Sequence, residues 1–138
     1  LDILIDSNIW AYYLDSTTTE HKKVVNPVRR ALRGEVWINT VVQIEVAHYL
    51  VKRLGPVLGA EKAEKFLSYP FRVDELTVER VREAVEILKE YSHLGIGGRD
   101  ATLLATMKAA GIRTLMTHDE ALKRVEWVKA IDPCGERL

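Results

Sequence analysis

Short apolar runs alternate along the chain with longer stretches in which apolar residues recur every three or four positions, the mark of strands exchanged for helices. Ile3, Leu4 and Ile5 predict a strand that ends at Asp6, and Asn8 to Leu14 resumes as a helix carrying Trp10, Tyr12 and Tyr13. The spacing of Val24, Val25, Val28 and Leu32 predicts a basic helix over 21–33, with Pro27 starting or kinking its main part and Gly34 ending it. EVWIN at 35–39 reads as a second strand. Thr40, with Gln43 three residues later, forms a capping box for a helix whose stripe is Val41, Ile44, Ala47, Leu50 and Val51 and which stops near Gly55 and Pro56. Glu45 lies in its second turn. A helix over 59–69 leads to a third strand at 71–76. The clearest helix is 77–94, capped by Thr77 and striped by Val78, Val81, Val85, Leu88 and Tyr91. A glycine-rich turn at 95–100 precedes a nearly polar-free helix closed by Gly111. A strand at 113–117, a short helix at 119–125 and a fifth strand at 126–133 complete the pattern.

Strands alternating with helices, joined by connections too long for hairpins, predict an α/β fold: a parallel sheet of about five strands flanked by helices on both faces. With 138 residues, 47% of them hydrophobic, and no repeat or linker, residues 1–138 are expected to form a single domain. No apolar run approaches the roughly 18 residues of a spanning helix, and the start lacks the basic stretch and apolar block of a leader. No membrane association and a cytoplasmic location are therefore expected. Lysine plus arginine and aspartate plus glutamate number 20 each, so any nucleic-acid surface must be local. Cys134, the one cysteine, cannot close an internal disulfide and is read as incidental.

In an open parallel sheet, ligands gather beyond the carboxyl ends of the strands, where the strand order reverses. Four acids are predicted at that edge: Asp6 after the first strand, Glu45 in the helix after the second, Asp100 at a helix start, and Asp119 after the fourth. Each has a plainer explanation. Asp6, Asp100 and Asp119 suit helix caps, worth about 1 kcal/mol each, and taken singly that suffices. Asp119 differs because Thr117 and Glu120 make a capping box of their own, which leaves it redundant as a cap. Glu45 places a charge in a mostly apolar helix, where a solvated surface position is the alternative. If the acids converge, like charges about 4 Å apart repel by roughly 4 kcal/mol per pair at an effective dielectric of about 20, so they need protons or a cation. Hard oxygen donors favour Mg²⁺ or Mn²⁺ over zinc.

ILIDSNIW, NTVVQIEVAHYL, GGRDATLLATMKAAG and TLMTHDEAL, in this order and spacing, resemble the motifs of the PIN domain family, especially its short VapC-type toxin ribonucleases. The resemblance spans almost the whole chain. It implies a metal-dependent endoribonuclease that hydrolyses RNA phosphodiester bonds through a metal-activated water, with Mg²⁺ or Mn²⁺ as cofactor. Asp6 and Asp100 would be the principal metal ligands, Glu45 and Asp119 would complete the acidic pocket, and Asn8 and Thr117 would make secondary polar contacts. The resemblance further implies the toxin of a type II toxin–antitoxin pair, homodimeric and held inactive by a small antitoxin protein. Departures from the family pattern are Ser7 where threonine is common, His118 between Thr117 and Asp119, and Leu122 and Val125 where an aromatic often occurs.

Such a scheme needs no catalytic histidine, and His21, His48, His93 and His118 share no obvious spacing. Lys22, Lys23, Arg29, Arg30 and Arg33 read as a solvated helix face, whereas Arg99, directly before Asp100, is the better candidate for guiding RNA. Trp10, Tyr12 and Tyr13 suit core or dimer contacts more than base stacking. Two other readings stay open. One is a PIN-like module that binds RNA or protein without cutting. The other is a receiver-type phosphoacceptor, which also gathers acids, a threonine and a divalent ion at a parallel edge; it needs an acidic pair after the first strand and a lysine after the fifth, where this chain has Asp6 and Pro133.

Overall fold

The computed structural model describes residues 2–135. In chain order its elements are β1 (Asp2–Ile5), α1 (Ser7–Leu14), α2 (His21–Ala31), β2 (Glu35–Asn39), α3 (Thr40–Leu54), α4 (Leu58–Leu67) and β3 (Arg72–Asp74). They continue as α5 (Val78–Tyr91), α6 (Gly98–Ala110), β4 (Thr114–Met116), α7 (Glu120–Lys123) and β5 (Lys129–Ile131), with a short 3₁₀ turn over Ser92–Leu94. The strands form one all-parallel sheet in the order β3-β2-β1-β4-β5. β1 is central, with Leu4 opposite both Trp37 and Leu115. Ile3, Leu4 and Ile5 are all buried, which explains why β1 is an unbroken apolar run and not an alternating one.

The chain steps from β1 to β2 to β3 in one direction, then returns across the sheet to β4 and β5. Right-handed crossovers put α1 to α4 on one face, and reversing the direction puts α5 and α6 on the other. The helix contacts agree: α1 packs on α2 and α3, α3 on α4, and α5 on α6. The order reverses between β1 and β4, so the crevice beyond their carboxyl ends is the switch point. A receiver-type sheet runs 2-1-3-4-5, with β1 beside β3. Here β3 lies beyond β2, and the phosphoacceptor alternative is set aside.

Trp10 is fully buried, donates its ring N–H to the Ile5 carbonyl at 3.2 Å, and stands edge-on to Phe66 and Phe71 with ring centroids 5.3 and 5.2 Å away. It is core, as its place after a buried strand suggests. Several boundaries and helix faces differ from the periodicity. Asn39, not Thr40, caps α3: its side chain accepts from the Val42 N–H at 2.9 Å, and Thr40 instead accepts from the Leu76 N–H at 3.0 Å. The buried face is then Val42, Val46 and Leu50, and Ile44 is 67% exposed. On α5, capped by Thr77 as expected, Ala84, Ile87 and Tyr91 face the core while Val78, Val81 and Val85 face outward. α6 starts at Gly98, inside the expected glycine turn, and β3 and β5 are three residues each.

Candidate active site

β1 delivers Asp6 to the switch point, where its N–H donates to the Met116 carbonyl at 2.9 Å and ties it to β4. Its carboxylate is fully buried. Oδ1 accepts the Ser7 N–H at 2.7 Å, so Asp6 is indeed the cap of α1. It is also more than a cap, because Oδ2 accepts the Thr117 hydroxyl at 2.8 Å and Oδ1 receives Nη2 of Arg99.

Arg99, the second residue of α6, lies among the acids. Its Nε donates to both oxygens of Glu45 at 2.8 Å, its Nη1 to Asp100 Oδ1 at 2.6 Å, and its Nη2 to Asp6 and, at 2.8 Å, to the Ser7 hydroxyl. Each edge of the planar guanidinium is given to a carboxylate from a different element: β1's end, α3 and α6 itself. Burial favours the neutral form of Arg99, but Asp6, Glu45 and Asp100 outweigh it and raise its pKa further. Arg99, the sequence candidate for guiding RNA, is thus ion-paired within the pocket.

Asp100 is not a cap. The cap position is Gly97, which has no side-chain bond to offer, and Asp100 sits buried in the first turn of α6. Burial, and then the neighbouring charge of Asp119, raise its carboxyl above the ordinary value, with Arg99 opposing. Asp119 does cap: its Oδ1 accepts the Ala121 N–H at 2.9 Å, so it is not redundant, and the Thr117–Glu120 capping box does not describe the start of α7. Thr117 has a different task. Its hydroxyl oxygen accepts the Asp119 N–H at 3.0 Å while donating to Asp6, which links two of the acids through one buried atom.

All four predicted acids thus share the switch-point edge. Asp6, Glu45 and Asp100 meet around one cation, and Asp119 acts on Asp100 from beside them. The residues suit a hard divalent cation on two counts. The donors are carboxylate oxygens from three elements, and a positive group already stands where they converge. Asn8, two residues after Asp6, has a buried side-chain oxygen with no hydrogen-bond partner among the described residues. Ser7 was not anticipated as a contact, although its place beside Asp6 was the available signal. His118 pairs with Asp132 at 2.9 Å and packs edge-on against Tyr12, not with the acids. Lys22, Lys23, Arg29, Arg30 and Arg33 are exposed, as a solvated helix face should be.

A PIN domain family model matches residues 3–128. No curated protein sequence matches the chain. Among solved structures, VapC20 of Mycobacterium tuberculosis, described as a sarcin-ricin loop cleaving toxin, is similar with a TM-score of 0.78 at 22% identity, over 92% of this chain and 97% of its own. VapBC2 of Rickettsia felis, bound to a DNA fragment from its promoter, gives a TM-score of 0.74 at 18% identity over 96% and 98%. A toxin–antitoxin complex from Klebsiella pneumoniae gives 0.70 at 20% identity over 95% and 97%. At these identities the likeness is one of fold, and it agrees with the family match. On that match, over most of its length, this chain belongs to the PIN domain family.

Proposed function

We propose that this chain is a metal-dependent endoribonuclease of the VapC type, the toxin of a type II toxin–antitoxin pair, hydrolysing RNA phosphodiester bonds at the switch-point edge. One observation carries the reading: Asp6, Glu45 and Asp100 converge on a single cationic position, with Asp119 beside Asp100. Asp6 and Asp100 would hold the ion, and Glu45 and Asp119 would complete its surroundings. When bound, Mg²⁺ or Mn²⁺ supplies charge against the extra negative charge of the phosphoryl transition state and acidifies water. The chain's own residues supply geometry. Thr117 fixes Asp6 and the backbone of Asp119 together, and burial of Asp6 keeps bulk water from screening it.

The Klebsiella toxin–antitoxin complex supports a small antitoxin as partner. The family resemblance supports a homodimer. Among the described residues no helix is long and apolar enough to cross a membrane, and a cytoplasmic location is part of the proposal. A second reading, a PIN module that binds RNA without cutting, is favoured by one feature: Arg99 already pairs three of the acids. End-labelled RNAs, single-stranded and structured, separate the two. The nuclease reading expects internal cuts in Mg²⁺ or Mn²⁺ that vanish in EDTA. RNA that is retarded on a gel yet stays intact in every metal would support the binding module instead.

A further inference from the structure

Three carboxylates bring negative charge to one place, and the chain answers with a cation of its own. Arg99 touches what a divalent ion would want: oxygens of Asp6, Glu45 and Asp100 and the hydroxyl of Ser7. Its side chain is 30% exposed and that of Asp6 0%, so this is not the solvated surface pair that salt dissolves. Among the described residues no three acidic, histidine or cysteine side chains stand as a ready set of metal ligands. Instead the guanidinium stands between the three carboxylates, each against a different edge. The Arg99 backbone is fixed in the first turn of α6, but the side chain is long and reaches solvent, so it can leave the pocket without unfolding the helix.

We propose that Arg99 is a built-in counter-cation of the acidic pocket: it positions Asp6, Glu45 and Asp100 when no metal is bound and gives them up when a divalent cation enters. This rests on the reading of the pocket as a metal site. The two cations compete for the same oxygen lone pairs, so Arg99 lowers the apparent affinity for the ion. It also makes the folded state largely independent of metal, because the mutual repulsion of the acids is already offset. Arg99 is in this sense a positioning residue, acting on the ligands and not on substrate.

Mn²⁺ binding without RNA, followed by calorimetry and by loss of the free-ion electron paramagnetic resonance signal, tests the proposal on wild type, Arg99→Gln, Arg99→Lys and Asp100→Asn. Thermal melting in EDTA and in Mn²⁺ accompanies it. Arg99→Gln should bind Mn²⁺ roughly tenfold more tightly than wild type, melt lower than wild type in EDTA, and recover more on adding Mn²⁺. Arg99→Lys, which keeps a point charge but loses the fork, should fall between, and carries the test alone if Arg99→Gln does not fold. Equal or weaker Mn²⁺ binding by both Arg99 variants, with Asp100→Asn still abolishing it, overturns the counter-cation role while leaving the metal site intact. No Mn²⁺ binding by any of the proteins overturns the metal reading, and this proposal with it.

Discussion

At the scale of the residue, Asp6 carries two roles that a single substitution can separate. It caps α1 through Ser7 and joins the pocket through Thr117 and Arg99. Asparagine caps nearly as well as aspartate but carries no charge. Asp6→Asn is therefore expected to keep the cap but lower the urea midpoint by leaving Arg99 without its buried partner, and Asp6→Ala to lose about 1 kcal/mol more than Asp6→Asn. Thr117→Val keeps shape but removes the hydroxyl, leaving Asp6 Oδ2 and the Asp119 N–H without it. Urea unfolding should show a cost of about 1–3 kcal/mol. Asp15 contributes to acid stability. Burial pushes its carboxyl up, yet the Thr17 hydroxyl, the Tyr49 hydroxyl, the Thr17 N–H and the Arg53 charge outweigh that and bring it from 3.8 to about 2. A depressed folded-state pKa gives stability that is whole above the unfolded value and lost as pH falls through the folded one. Unfolding free energy should thus drop by about 2 kcal/mol between roughly pH 5 and pH 2 on this account, and Tyr49→Phe should make that drop smaller.

At the scale of the element, the site depends on how α3 is held, since α3 brings Glu45. Asp15, the C-cap of α1, accepts the Tyr49 hydroxyl of α3 at 2.6 Å and so joins the helix that follows Asp6 to the helix that carries Glu45. On its other side α3 meets α4 at Gly59, where a Cβ would strike the Leu50 carbonyl and come within 2.6 Å of the Val51 Cα. Gly59→Ala should force α4 away and cost about 1–3 kcal/mol in urea unfolding; an unchanged midpoint would contradict this close packing. The same helix shows what was legible beforehand. Apolar runs and helical periods located every element, because burial imposes those periods wherever an element crosses the core. They did not set the phase of α3, since Asn39 and Thr40 are both good caps, and only the fold decides which N–H each one meets. Nor did they find the buried face of α5, where small Ala84 points inward and branched valines point out.

At the scale of the whole molecule, strand order does most to make a site. Acids at positions 6, 45, 100 and 119 are far apart in sequence, and the reversal between β1 and β4 brings their elements to one edge. Asp6, Asp100 and Asp119 drew notice because they stand where a strand ends or a helix begins, and Glu45 because it is a charge in a mostly apolar helix. The ion pairs of Arg99 were not legible, because a basic residue beside an acid in sequence gives no sign of what it meets in the fold. Its role emerges only when β1, α3 and α6 are placed together. The chain has a formal charge of +0, so no general attraction to polyanions would account for the proposed activity on RNA, which would fall to the pocket. The most direct test compares RNA cleavage by wild type, Asp6→Asn and Asp100→Asn at equal concentration in Mg²⁺ and in Mn²⁺, with EDTA controls and circular dichroism to confirm the fold. The account predicts cleavage by wild type that EDTA abolishes, and a loss of roughly 100-fold or more in each folded variant. The same trace cleavage in all three proteins, or cleavage indifferent to EDTA, would contradict it.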